Sequence, residues 1–222
     1  IPDIRIKMNE KLYLRNPEDS VLGRKIVSQG ILLINKLGFE DFTFKKLALE
    51  IEATEATVYR YFENKHRLLV YLITWYWSFL AYKVMFKLNN IDDPEVKLNT
   101  IIRLLVAEPE TGQYSDYIPE AEAYELVKHE SSKAYLTRNV TKDNQNRLFK
   151  PYKDLSARIA QIIKELNPKY KYPNFLASTV LEMSHAQKFF MENLPSLTDS
   201  TSPDDKKLIR FLEDLVFKTI AK

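Results

Sequence analysis

At 222 residues, 45% of them hydrophobic, the chain is long enough for one large domain or two small ones with a real core. Its formal charge of +3 is spread evenly: residues 1–70 carry 12 Lys/Arg against 10 Asp/Glu, so bulk charge does not announce a polyanion partner. The lack of cysteine excludes disulfides, thiolate metal sites and cysteine nucleophiles, and scarce glycine with little polar/apolar alternation favours helices over sheets.

Residues 1–15, IPDIRIKMNEKLYLR, mix basic and apolar residues without helical order. They read as an arm, either packed on the body or lying along a phosphate backbone. No signal-peptide pattern is present, and with no cysteine the expected location is the cytoplasm. Asn16-Pro17-Glu18-Asp19 predicts the start of a first helix, with Asn as N-cap, Pro at N1 and carboxylates against the helix dipole. Leu22, Ile26, Leu33 and Leu37 form its buried stripe. Gly30 on the same face admits a close neighbour, and Gly38 ends the helix.

Thr43 predicts the cap of a short helix over Phe44 to Ile51, and Thr54 that of another over Glu55 to Phe62. Two short helices joined by a tight turn form a helix-turn-helix. Val58 and Phe62 face inward. Thr54, Glu55, Ala56, Thr57 and Arg60 then lie on the outer side or leading end, where small polar residues let a backbone enter the major groove. Tyr59 and Tyr61 can donate hydroxyl hydrogen bonds to phosphates while their rings pack, and Lys65 can neutralise a phosphate. Lys45 and Lys46 lie on the helix that would cross the DNA backbone.

Asn64 predicts the cap of a long helix to about Leu88. Its uncharged stretch, Leu68 to Tyr82, falls short of the ~20 residues needed to span a bilayer, so it reads as a buried core helix. Asp93-Pro94 predicts a helix with the stripe Val96, Ile101, Leu104 and Leu105, and a loop follows over Glu108 to Ile118. Pro119 opens a helix to about Lys133, Lys142 to Leu166 is helical with a kink or split at Pro151, and Pro173 opens a helix to about Asn193. Ser202-Pro203-Asp204-Asp205 caps the last helix. The expectation is an all-α chain of nine or ten helices: an arm over 1–15, a helix-turn-helix domain over 16–69 and a larger helical domain over 70–222.

The segment from about Leu22 to Leu69 resembles the DNA-binding domain of the TetR family of bacterial transcriptional repressors. The resemblance is carried by Gly38-Phe39, Phe42-Thr43, Leu47-Ala48, Ile51, Ala53, the run Thr57-Val58-Tyr59-Arg60-Tyr61-Phe62, Lys65 and Leu68-Leu69. It implies phosphate contacts at Thr43, Tyr59 and Lys65 and a recognition helix over Thr54, Glu55, Ala56, Thr57 and Arg60. The family usually has Gly in the turn, where this chain has Glu52. Glu adopts the left-handed backbone less readily and adds a negative charge. For the last two helices the resemblance implies a homodimer interface, drawing on Phe175, Leu176, Val180, Met183, Phe189, Phe190, Leu208, Phe211, Leu212 and Leu215. For the middle helices it implies an effector pocket. The aromatic supply of Trp75, Tyr76, Phe79, Tyr82, Tyr114, Tyr117 and Tyr124 suits a flat or greasy ligand.

The expected protein is therefore a ligand-responsive repressor that binds a near-palindromic double-stranded operator as a homodimer, without cofactor, metal or enzymatic activity. Two rivals stand beside it. One is a helical interaction module that has lost DNA binding, which the acidic Glu52 and Glu55 favour. The other is a di-iron carboxylate bundle suggested by Glu182-Met183-Ser184-His185, although that chemistry requires two such motifs together with two more inward glutamates on partner helices.

Overall fold

A computed structural model describes residues 6–107 and 117–221. Of the expected loop over Glu108 to Ile118, only Tyr117 and Ile118 are described, and Tyr114 lies outside the described residues. Eleven α-helices and no strand occur among the described residues: α1 (Val21–Leu37), α2 (Phe44–Glu50), α3 (Glu55–Tyr59), α4 (Lys65–Leu88), α5 (Pro94–Val106), α6 (Glu120–Glu130), α7 (Ser132–Tyr135), α8 (Val140–Gln145), α9 (Lys150–Leu166), α10 (Pro173–Asn193) and α11 (Asp205–Ile220). The chain is all-α, with one or two more helices than the spacing predicts.

The extra helices arise where local backbone breaks are invisible to hydrophobic periodicity. The region expected as one helix over Lys142 to Leu166 is two, because Arg147 turns left-handed (φ 59°) between α8 and α9. Pro151 then sits in the first turn of α9, where its missing N–H costs nothing, so it opens a helix rather than kinking one. Asn16 caps a short 3-10 turn over Pro17–Asp19 instead of α1, and α1 starts later with Ser20 as its cap, the hydroxyl accepting from the Gly23 N–H. In α5 the buried residues are Leu98, Ile101, Ile102, Leu105 and Val106, while Val96, expected in the stripe, is exposed.

The described residues form two compact units, one of residues 6–78 with 117–150 and the other of 79–107 with 151–221. The segment 16–69 lies wholly within the first unit. Helix α4 contributes to both, and it is the one described helix long and apolar enough to cross a membrane. Most of its apolar window is buried inside the protein, which is how a core helix behaves.

In the first unit α1 packs against the Pro17–Asp19 turn, α2 and α6. Gly30 admits α4: a Cβ there would lie 3.2 Å from Leu68 Cδ2. Gly38 ends α1 with φ 78°, its N–H returning to the Ile34 carbonyl at 2.8 Å. Helix α6 is tied to α1 and the α1–α2 loop by polar contacts. Asn35 Nδ2 donates to the Glu122 carboxylate at 2.7 Å, and the Phe39 N–H donates to Glu130 Oε1 at 3.0 Å.

In the second unit α5, α10 and α11 pack against one another. The broad apolar faces of α10 and α11 divide. Leu176, Val180, Leu208 and Leu212, expected at a dimer interface, are instead buried inside this chain. Phe175 and Phe211 remain exposed, and Met183, Phe189, Phe190 and Leu215 are half-buried. Glu182 accepts a hydrogen bond from the Tyr152 hydroxyl of α9, and His185 Nδ1 lies 3.0 Å from Ser184 Oγ within α10 itself.

Candidate nucleic-acid interface

Helix α3 has only five residues, too few to persist by its own backbone hydrogen bonds. It is held by capping and by two anchors. Thr54 Oγ1 accepts from the Thr57 N–H at 3.3 Å and shares a hydrogen bond of 2.8 Å with Thr57 Oγ1. Val58 and Phe62 are fully buried, the latter with its ring edge-on to Tyr71 at 5.4 Å. With the inner side so committed, Thr54, Glu55, Ala56, Tyr59 and Arg60 are exposed and Thr57 is half-buried. Four of the five expected recognition residues are therefore exposed, with Tyr59 exposed beside them.

Helix α2 leads into α3 through a Schellman turn. The Glu52 N–H returns to the Leu49 carbonyl at 3.3 Å and the Ala53 N–H to Ala48 at 2.9 Å, with Glu52 itself left-handed at φ 57°. The turn thus keeps the geometry that glycine adopts freely, and the glutamate bears the strain, which for an L-residue is roughly 1–2 kcal/mol. Glu52→Gly is expected to raise unfolding stability by about 0.5–1 kcal/mol, the gain being offset in part by the freer unfolded chain. A shift of the urea midpoint to higher concentration with unchanged slope checks it. Glu50, Glu52 and Glu55 are all exposed around this turn.

Thr43 caps α2, its hydroxyl accepting from the Lys46 N–H at 3.2 Å, and remains exposed. Lys45 is exposed, whereas Lys46 Nζ donates to the Asp41 carbonyl at 2.7 Å. Tyr59 is 46% exposed with its ring braced edge-on against Phe44 at 4.9 Å, which leaves the hydroxyl side open.

Two expected contacts need correction. Tyr61 is 2% exposed, and its hydroxyl shares a 2.8 Å hydrogen bond with Ser20, the cap of α1. It lies three residues after Val58, on the same inner face, so its ring is core and its hydroxyl is spent. Lys65 is likewise engaged: its ammonium donates to the carbonyls of Phe39, Glu40 and Phe42 at 2.9, 2.9 and 3.0 Å, and it sits 4.7 Å from the Phe39 ring centroid. An ammonium has three donors, and all three are used. Lys65 therefore ties the start of α4 to the α1–α2 loop. Lys65→Ala is expected to cost about 2 kcal/mol of stability, the range of charge-assisted hydrogen bonds, while leaving the salt dependence of DNA binding unaltered. Urea unfolding and a salt titration of binding separate this outcome from the loss of a phosphate contact.

The arm packs on the first unit beside the recognition segment, one of the two alternatives the sequence pattern left open. Met8 and Leu12 are buried, the Leu14 N–H donates to the Tyr61 carbonyl at 2.8 Å, and the Tyr13 ring meets Tyr71 edge-on. Of the aromatic residues expected around an effector pocket, Trp75, Tyr76, Phe79 and Tyr124 are buried and Tyr82 and Tyr117 half-buried. Tyr76 packs against Trp77 and Tyr124. Burial pushes the Tyr76 and Tyr117 hydroxyls above the ordinary tyrosine range, and the Tyr117 hydroxyl donates to Glu18 at 2.7 Å.

Residues 26–72 match the sequence model of bacterial regulatory proteins of the tetR family. Solved structures share the fold. AibR in complex with isovaleryl coenzyme A and operator DNA is 14% identical over 87% of this chain and 98% of that one, with a TM-score of 0.61. The fatty acid degradation regulator FadR from Bacillus halodurans is 16% identical over 86% and 96%, at 0.59. The superantigen PfiT is 16% identical over 93% and 97%, at 0.56. No curated protein sequence matches.

Proposed function

We propose, from the premise that residues 26–72 belong to the TetR family of bacterial regulatory proteins, that this chain is a ligand-responsive transcriptional repressor acting as a homodimer on a near-palindromic operator. The observation that carries the reading is the outward set of Thr54, Glu55, Ala56, Tyr59 and Arg60 over a buried Val58 and Phe62. Thr43, Lys45 and Tyr59 reach phosphates, the small leading end of α3 enters the major groove, and Arg60 reads a base edge or grips the backbone. One five-residue helix binds DNA weakly. Two copies held about 34–36 Å apart meet successive major grooves, and the exposed Phe175 and Phe211 supply apolar surface for pairing.

The effector is a flat or apolar small molecule taken up among aromatic residues of the first unit, Trp75, Tyr76, Tyr117 and Tyr124. It acts by favouring a state whose two recognition helices no longer match the grooves. AibR, with a coenzyme A thioester and operator DNA bound in one crystal, supports pairing these two partners on this fold. The regulator works in the cytoplasm, where its DNA is.

One feature favours a second reading, an interaction module without DNA binding: the exposed Glu50, Glu52 and Glu55 place negative charge beside the recognition end. The likeness in fold to the superantigen PfiT is compatible with roles away from DNA. Selection of bound duplexes from random sequence, followed by a salt titration, decides between them. A repeated half-site and affinity falling steeply with salt support the repressor; no enrichment and no salt dependence support the module.

A further inference from the structure

We propose that Arg15, outside the helix-turn-helix, is a further phosphate contact of the same DNA interface, built into the C-terminal end of the recognition segment. The inference rests on the DNA-binding reading above. The arm is pinned at both ends within the first unit. At one end Asn9 Nδ2 donates to the Asn146 carbonyl and Lys11 Nζ to Asn146 Oδ1, each at 2.9 Å. At the other, Leu14 bonds the Tyr61 carbonyl at 2.8 Å. That bond sets Arg15 directly against the residue that follows Arg60.

The Arg15 guanidinium lies 5.3 Å from the centroid of the buried Tyr61 ring, while Arg15 itself is exposed. It lies over an aromatic face while the side chain stays accessible to solvent. The nearby acids in sequence are engaged elsewhere: Glu18 accepts from the Tyr117 hydroxyl at 2.7 Å and Asp19 from Asn16 Nδ2 at 3.0 Å. Among the described residues neither Arg15 nor Arg60 makes an ion pair. Two guanidinium groups without an ion pair among the described residues flank Tyr61, one on each of two chain segments joined by a backbone hydrogen bond. A partner bearing regularly spaced anionic oxygens supplies the missing countercharge. Because the arm is fixed and the ring holds the guanidinium, little further ordering is needed on binding.

The test uses the full chain, a duplex recovered by selection and a random-sequence duplex of equal length, with affinity measured by fluorescence anisotropy over a series of potassium chloride concentrations. Arg15→Ala is expected to weaken both duplexes alike and to flatten the slope of log affinity against log salt by roughly one unit per bound subunit. Arg15→Lys, which keeps the charge without the planar stack, is expected to retain the slope. If Arg15→Ala melts earlier yet keeps the wild-type slope, Arg15 only braces Tyr61 and the proposal is overturned. An equal loss of slope in Arg15→Lys overturns it too, since charge is then not what counts. A wild-type chain that binds neither duplex removes the DNA-binding reading and this inference together, whereas normal wild-type binding with an unaltered Arg15→Ala slope removes the inference alone.

Discussion

Phe62→Ala is expected to cost about 3–5 kcal/mol of unfolding stability, the range for truncating a fully buried aromatic side chain. The ring is 0% exposed, packs edge-on against Tyr71 and closes the inner face of a helix only five residues long. No flanking turn can take up the slack, because the chain bends at Glu63 and Asn64 before α4 begins. The cavity therefore lies under the recognition segment itself, and α3 loses one of its two anchors while Val58 alone remains. DNA binding should fall further than the fraction of folded protein does, since a locally melted α3 no longer presents Thr54 and Arg60 together. Urea denaturation gives the stability loss. Anisotropy at a temperature where the variant remains folded gives the excess loss of affinity, and an affinity that tracks the folded fraction alone refutes local melting.

What was legible in the sequence was the local chemistry. The caps at Thr43, Thr54, Asn64, Asp93 and Asp204 each accept the backbone N–H that their position requires. Gly38 stops α1, and Glu52 takes the left-handed turn in which glycine was missed. Each of these depends on a residue and its neighbours within four positions. The corrections arise where the deciding partner is distant in the chain. Lys65 finds its carbonyls more than twenty residues back, and Tyr61 finds Ser20 forty-one residues away. Tyr61 did carry a local signal, because three residues after Val58 is the same helical face.

The apolar faces of α10 and α11 carried no such signal. Leu176 and Phe175 are adjacent, as are Leu212 and Phe211, and in each pair one residue is buried and the other exposed. A broad stripe states how much surface must be covered but not which half meets the chain's own α5. The outer half is the part still available to a second copy, so a dimer disrupted by Phe175→Asp and Phe211→Asp would leave the inner half intact.

Gly23 was passed over by periodicity, and it carries the second large expected effect. A Cβ at this position would lie 2.3 Å from the Pro17 carbonyl oxygen and 2.6 Å from Pro17 Cα. Backbone cannot rotate aside as a side chain would, so Gly23→Ala must push the Pro17–Asp19 turn off α1. Overpacking of this kind costs typically 1–3 kcal/mol, and the rigid obstacle puts this case near about 3. The helix itself would gain from alanine by about 1 kcal/mol, so a net loss isolates the steric term. The turn also carries Asn16 and is followed by Ser20, whose hydroxyl holds both the Gly23 N–H and Tyr61. Displacing it should therefore loosen the arm and the end of the recognition segment together. Hydrogen exchange is expected to quicken at the Leu14 amide, which bonds Tyr61, before it quickens in α5 or α10 of the other unit. Uniform quickening across both units would show that the glycine supports global stability alone.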